Sequence, residues 1–360
     1  MKKFIFVLGL IASLLSCNKL ETLNTYEAKE IVFSNNLKKT PEVPITRAIV
    51  HGTSLSSNFG VYGYVKPTDD VTTGGYIMKN GEYKPDGTSD IKYYWPKAGN
   101  NDDINVKFVA YYPFEPNSSS KIEMVGDDFV YHITTNSVLT EDKANDVLWA
   151  IANNQHPTLI NTPGALDSNN DVTLTFEHAL ALVQFQAKMS PLDANSNGIT
   201  AVEVTSIKFS SEIKTDATLK LNTTDNSTTP TFETGVATAD LNFAAQNNDL
   251  TTDYQVLSSA IIVPQNVPTS VTITFNITIK TNDGSITYNG RTVTRTINTG
   301  NDENGEPYAA NPAWIKANKY IYRYYITADD VDFNVSVDPW SVDWNQVWDY
   351  DNTSATVNVF

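Results

Sequence analysis

The sequence holds a single cysteine, Cys17, among 360 residues, so no disulfide can form within the chain. It has four histidines, His51, His132, His156 and His178, and none lies at a His-x-x-x-His or Glu-x-x-His spacing. A zinc or Cys/His centre therefore has no ligand set to draw on, and neither a metal nor a cofactor is expected. Phosphate loops, dinucleotide fingerprints and Gly-x-Ser-x-Gly elbows are missing too, so no enzyme class is indicated. Charge is scarce at 18% of residues, against about 25% in an average globular chain. What charge there is runs negative, 41 acidic residues against 25 basic for a formal −16. A surface of that sign repels a phosphate backbone, which excludes nucleic acid as a partner. Beyond the first fifteen residues no apolar run approaches the length of a membrane-spanning helix.

Position gives the lone cysteine its meaning. Lys2 and Lys3 precede the apolar run Phe4 to Leu15, and Leu14-Leu15-Ser16-Cys17 closes it. A basic start, an apolar stretch of about 12 residues and small residues before a cut make a secretory signal. The stretch is too short to cross about 30 Å of hydrocarbon. Residues 1–16 therefore read as a signal peptide. Leu-Leu-Ser-Cys resembles the lipobox of bacterial lipoproteins, which implies a diacylglyceryl group on the Cys17 thiol and Cys17 as the first mature residue. The alternative is an ordinary signal peptide with a chance cysteine. Two or more acyl chains would anchor the protein firmly, since each buried CH₂ contributes ~0.8 kcal/mol and one chain alone is marginal.

The rest of the composition favours strands. There are 18 Tyr, 15 Phe and 6 Trp, with much Thr, Asn and Ser, a mix suited to pleated surfaces and turns and not to disorder. Phe59–Val65, Asn105–Tyr112, Asp128–Thr134, Val172–Phe176, Val202–Phe209 and Ala260–Val263 read as strands, as do Tyr320–Thr327 and Val331–Val337. Val271–Ile279 alternates over nine residues, with Val271, Ile273, Phe275, Ile277 and Ile279 on one face. Asn80-Gly81 and Asn282-Asp283-Gly284 predict hairpin turns. Only Thr140–Ala152 and Trp314–Asn318 carry a helical pattern. Many short strands between turns predict an all-β protein of two tandem β-sandwich domains. The Asn/Asp/Pro-rich stretch His156–Asn170 is the predicted boundary, dividing a leader at 17–47, a domain at 48–165 and a second at 166–360.

Several residues could bear chemistry. Asp193-Ala194-Asn195-Ser196-Asn197-Gly198 matches the first half of a calcium loop, but Val204 stands at the twelfth position, where a bidentate Glu is needed, so a connecting loop is expected. His178 is either a ligand or a histidine bonded beneath a sheet, the second being the default. Trp340, Trp344 and Trp348 recur every fourth residue and share a face on a strand or a helix, as core or as a platform for sugars. Carboxylates are plentiful, and a glycosidase pair is assembled in space, where sequence cannot single one out.

A set of segments resembles one family in the right order along the chain. They are the lipobox at Cys17, Thr46-Arg47-Ala48, Tyr93-Tyr94-Trp95-Pro96, Val106–Pro113, Asn145–Ala150, Leu174–Leu180, Asn318–Tyr322 and Val335–Trp340. Together they are similar to the fimbrillin-like lipoproteins, the type V pilins of Gram-negative surfaces. The resemblance implies two sandwiches of transthyretin-like, Greek-key topology, export as a lipidated precursor, and residence at the outer membrane and in a surface fimbrium. It implies other fimbrial subunits and a maturation protease as partners, and adhesion as the function. In polymerising members the protease cuts after an arginine of the leader, whose loss opens a groove for a strand from the next subunit.

The corresponding residues here are Arg47 and Ala48 at the cut, with Ile31-Val32-Phe33 as the strand that leaves. Ala355, Val357 and Val359 alternate with Ser354, Thr356 and Asn358 and form the candidate donor strand. The plainer alternatives are an ordinary exposed Arg47 and an edge strand at 354–360. A surface glycan-binding lipoprotein is the competing function.

Overall fold

Alternation of branched and aromatic residues with turn-formers has one outcome: every element among the described residues is a β-strand. The computed structural model describes residues 29–37, 55–67, 74–96, 104–135, 138–139, 146–156, 171–189, 199–244, 249–267, 272–281, 286–296, 313–326 and 331–339. The strands are β1 (Phe33–Leu37), β2 (Phe59–Val65), β3 (Gly75–Tyr83), β4 (Val106–Tyr112), β5 (Ile122–Val125), β6 (Asp128–Thr134) and β7 (Val138–Leu139). Next come β8 (Leu148–Gln155), β9 (Val172–His178), β10 (Ala181–Met189), β11 (Ile199–Lys214), β12 (Asp216–Asn222), β13 (Thr231–Thr234) and β14 (Thr238–Ala244). The last are β15 (Gln255–Ile262), β16 (Gln265–Asn266), β17 (Thr272–Thr281), β18 (Ile286–Thr296), β19 (Ala313–Trp314), β20 (Asn318–Ile326) and β21 (Val331–Pro339).

A six-stranded sheet runs β1-β9-β8-β4-β2-β3, and a four-stranded sheet runs β13-β12-β6-β5. A second pair of sheets runs β15-β10-β20-β21 and β18-β17-β11-β14-β7. Three apolar cores hold these layers. One face of the six-stranded sheet buries Phe59, Val61, Phe108, Ala110, Leu174 and Phe176 with Ile31 and Phe33. Its other face turns Tyr62, Val109, Tyr111 and Trp149 toward Phe129, Tyr131, Leu219 and Leu221 of the β6/β12 layer and toward Leu180, Leu182 and Ile261. The third core lies under β10, β15 and β20, where Phe185, Ala260 and Tyr322 meet Val204, Ile207 and Ile277. Strands β9 and β12 follow residue 165 in sequence yet pair with β1, β8 and β6, which precede it.

Two local expectations are corrected. Asn80-Gly81 is no hairpin turn: β3 runs straight through it, with Val61 opposite Gly81 and Gly63 opposite Met78, so one extra residue bulges. Asn80 does take a left-handed φ of 52°, but its side chain is claimed by tertiary partners. It accepts from Tyr111 Oη at 2.5 Å and donates to Glu115 O and Asn117 Oδ1, both at 2.9 Å. The helical pattern is overturned as well. Residues 148–155 form β8, antiparallel to β4 with Ala110 opposite Ala150, and Ala313–Trp314 pairs with Gln265–Asn266 ahead of a turn. A short apolar run has no periodicity of its own, and here the available sheet edge decided.

Strand β4 is buried on both faces throughout, which places Lys107 in the interior with no exposed side-chain surface. Its ammonium is satisfied by the 225–227 loop: Asp225 Oδ1 at 3.0 Å, Asp225 O at 3.2 Å, Ser227 O at 3.1 Å and Ser227 Oγ at 3.3 Å. Desolvation draws the amine's pKa down, and the bond and charge of Asp225 oppose it only in part. Four residues further along β4, Tyr111 stacks on Phe129 with ring centroids 4.4 Å apart.

Burial raises the pKa of Tyr62 to about 12 and pushes those of Tyr83, Tyr111 and Tyr131 up further, all from an ordinary 10.0. Each phenol holds its proton more tightly folded than unfolded. The stability these groups contribute is therefore intact below pH 10 and is lost as pH climbs toward the folded values. Once the unfolded phenols have ionised, four such groups should remove about 5 kcal/mol per pH unit (~1.4 each). Urea midpoints from pH 9 to 11.5 should be flat at first and then fall steeply. A flat response throughout would mean that these hydroxyls are not held neutral by burial.

Candidate functional site

The Ile31-Val32-Phe33 segment, expected as the strand that leaves, lies at the outer edge of the six-stranded sheet. β1 pairs parallel with β9, in register from Phe33 opposite Val172 to Leu37 opposite Phe176. Val172 N donates to Val32 O at 2.8 Å, and the Ser34 and Thr173 hydroxyls are 3.2 Å apart. Alternation along the extended segment sends Ile31 and Phe33 inward, 2% and 1% exposed, and leaves Asn36 at the surface.

Phe33 is the centre of the slot. Its ring meets Tyr83 at 4.7 Å, Phe108 at 5.1 Å and Phe59 at 6.5 Å, each edge to face. Phe59 and Phe176 continue the cluster at 5.5 Å, and Trp95 closes it against Phe108 at 5.7 Å. Such pairs add about 0.5–1.5 kcal/mol each beyond the area they bury. Burial raises the pKa of the Tyr83 hydroxyl, with smaller contributions from Tyr93 and Glu30.

The other edge of 29–37 is covered by the segment from Lys84 to Pro96. Ile31 N donates to Tyr93 O at 2.8 Å, Trp95 N to Lys29 O at 2.9 Å, and Phe33 N to Gly87 O at 3.4 Å. Asn35 Nδ2 donates to Pro85 O, and Lys92 Nζ reaches Glu30 Oε2 at 2.8 Å. The bond to Glu30 is the first cause of a raised Lys92 pKa. Lys84-Pro85-Asp86-Gly87 is a turn, with Gly87 N bonded to Lys84 O at 2.8 Å and Asp86 Oδ1 accepting from Thr88 N and Oγ1 at 3.0 and 2.7 Å. Those bonds, the hydroxyl first, lower the pKa of Asp86. Gly87 sits at φ +80°, and a Cβ there would lie 1.6 Å from Phe33 O. No other residue fits.

The expected strand Ile31–Phe33 overlaps the observed one, Phe33–Leu37, only at Phe33, and the sequence does not reveal the slot. Tyr83, Phe59, Phe108 and Trp95 are far apart in the chain, and no pattern links them. Gly87 was legible in part, since Pro-Asp-Gly is a turn signature.

Cys17, Arg47, Ala48, Ala355, Val357 and Val359 lie outside the described residues, as do Asp193–Gly198, Trp340, Trp344 and Trp348. Among the described residues His178 is buried and bonded through Nδ1 to the equally buried Asp146, at 3.0 Å to Oδ1 and 2.9 Å to Oδ2. That is the role of a histidine beneath a sheet. Trp95, Trp149 and Trp314, the tryptophans among the described residues, are 3%, 4% and 1% exposed and present no ring to a sugar. No group of three His, Cys, Asp or Glu side chains among the described residues is placed to hold a metal.

Residues 46–340 match the fimbrillin-like family. No curated protein matches the chain. Among solved structures, a fimbrial protein from Bacteroides vulgatus is similar at a TM-score of 0.55 and 16% identity, covering 87% of this chain and 100% of that one. A putative cell adhesion protein from Bacteroides ovatus has a TM-score of 0.51 and 17% identity, over 88% and 99% of the two chains. Another from Bacteroides uniformis has a TM-score of 0.50 and 20% identity, over 87% and 99%. At these identities the likeness establishes a shared fold, and the family match establishes more: the chain belongs to the fimbrillin-like family.

Proposed function

We propose that the protein is a structural, non-enzymatic subunit of a cell-surface fimbria, exported as a lipoprotein through Cys17 and assembled by protease-triggered strand exchange in support of adhesion. One observation carries the reading: residues 29–37 fill a slot in the sheet with Ile31 and Phe33 buried, and Arg47 follows Phe33 by fourteen residues. A cut between Arg47 and Ala48 separates that strand from the body it completes. Without it, Val172–Phe176 would present a bare main-chain edge next to an aromatic slot, the arrangement that recruits another strand.

The proposed occupant is residues 351–360 of the next subunit, which span ~33 Å when extended at ~3.3 Å per residue. Ala355, Val357 and Val359 would face inward and the polar residues between them outward. The maturation protease, the other subunits and the outer membrane holding the lipid anchor are the proposed partners. The reading includes units at 48–165 and 166–360, with β9, β12 and β13 of the second lent to sheets of the first.

Two measurements test it. Limited trypsin treatment of purified precursor should yield a mature chain starting at Ala48 and SDS-resistant ladders, and deletion of 351–360 should abolish the ladders without preventing the cut. Cleaved protein that stays monomeric would sink the stalk-subunit reading. Phe33→Ala should lower the precursor's stability by about 3–5 kcal/mol in urea, the usual range for a buried Phe. Asn36→Ala, at an exposed position, should change it by under about 0.5 kcal/mol.

A further inference from the structure

The segment 29–37 is bonded along both edges, and the two edges differ in kind. On one side stands β9, an integral strand whose Val172, Leu174 and Phe176 are fully buried. On the other side runs 84–96, a loop whose residues are mostly at the surface, with Ile91 67% and Tyr94 46% exposed. The inward-bonding amides divide accordingly. Ile31 N and Phe33 N both donate to the loop, at Tyr93 O and Gly87 O. Gly87 and Trp95 are buried within the loop, and an exposed ion pair joins Lys84 Nζ to Asp90 Oδ1 at 2.6 Å.

We infer that 84–96 is a clamp that keeps the leader strand seated after the chain is cut, so that the cut alone does not release the strand and opening of this loop is a second step that strand exchange requires. The inference deepens the assembly reading and rests on it for the cut. The cut itself breaks none of the bonds described: it lies beyond Leu37, whereas every main-chain and side-chain contact to the clamp is made by residues 29–35. What the cut removes is the tether, and with it the local concentration that lets a strand rebind after a transient opening. An exposed loop with few buried side chains opens far more often than the sheet core does. The nicked protein is then a metastable complex. An incoming strand takes the place of β1 from the loop side, and its main chain must pass Gly87 as closely as Phe33 O does now.

The test uses the full chain with a specific protease site placed within 38–46, so that cutting does not depend on Arg47 and reading the result does not depend on polymerisation. After the cut, native mass spectrometry should find the leader peptide bound at one to one. Hydrogen exchange should find the amides of Ile31 and Phe33 still protected. Lys92→Ala, a change at an exposed side chain that leaves the core alone, should speed peptide loss by up to about fivefold, the worth of an exposed ion pair. Gly87→Ala should speed it by more than about a hundredfold, because the added Cβ meets a carbonyl that has nowhere to go. Immediate loss of the peptide from the nicked wild-type chain, or free-peptide exchange rates at Ile31 and Phe33, would overturn the clamp. Retention of the leader against an excess of synthetic 351–360 peptide would uphold the clamp and count against the assembly reading, so the two fail separately.

Discussion

Strand β9 has its three apolar side chains fully buried and only a two-residue pairing, Leu148 with His178 and Trp149 with Glu177, to its inner neighbour. Its main chain is completed from outside, by five consecutive partners on β1. The fold depends on that covering. An unpaired edge next to a slot lined by Phe59, Tyr83, Trp95 and Phe108 would combine unsatisfied amides with exposed aromatic surface, and neither is stable in water. Whatever fills the slot must therefore be an extended backbone with an apolar residue at the Phe33 position. This requirement is what turns an N-terminal segment into a structural element, and it would apply equally to any strand that took its place.

The same logic ties the front and back of the chain together. The core between the six-stranded sheet and the β6/β12 layer draws Tyr62 and Tyr111 from one half and Leu219, Leu221 and Ile261 from the other. Lys107 is the polar counterpart of this stitching. A buried ammonium is costly unless fully bonded, and all four of its acceptors belong to residues more than a hundred positions away. The core beneath β10, β15 and β20 and the core toward the β6/β12 layer contain no residue of 29–37, whereas the core lined by Phe59 and Phe108 includes Ile31 and Phe33.

How much of this was legible depends on which forces were local. β2 and β6 are found at the limits expected from sequence, Phe59–Val65 and Asp128–Thr134, because alternation and flanking turns define them without help. The apolar triplet Ile31–Phe33 marks where the chain enters the core, but the regular strand begins at its last residue and continues through polar Ser34, Asn35 and Asn36. Asn80-Gly81 misled because its hairpin propensity is real but weaker than the pull of Tyr111, Glu115 and Asn117 on the Asn80 side chain. Val147–Ala150 was ambiguous for the opposite reason: with both faces buried it carries no period to read, and pairing with β4 settled it. The slot was not legible at all, since its walls come from β2, β3, β4 and the 84–96 loop and meet only in three dimensions.

The composition of β1 bears on what could drive an exchange. With the residues just before it, it offers two buried apolar side chains, Ile31 and Phe33, followed by Ser34, Asn35 and the exposed Asn36. It also pairs in parallel, the slightly weaker arrangement per residue, within a sheet whose other pairings are antiparallel. If the proposed 351–360 segment entered with Ala355, Val357 and Val359 inward, that face would set no ring against Tyr83 and Phe108, and a smaller side chain there would give up contact and leave a void. Better packing by the newcomer therefore cannot be the whole driving force. Under the proposed assembly, residues 29–37 would hold their place in the uncut chain at an effective concentration on the order of millimolar, whereas a severed peptide that escaped would be diluted and would not return. A donor strand attached to a docked subunit keeps that advantage for itself. In the proposed assembly the direction of exchange would be set by which strand remains tethered, and the aromatic slot would set how long the outgoing one can resist.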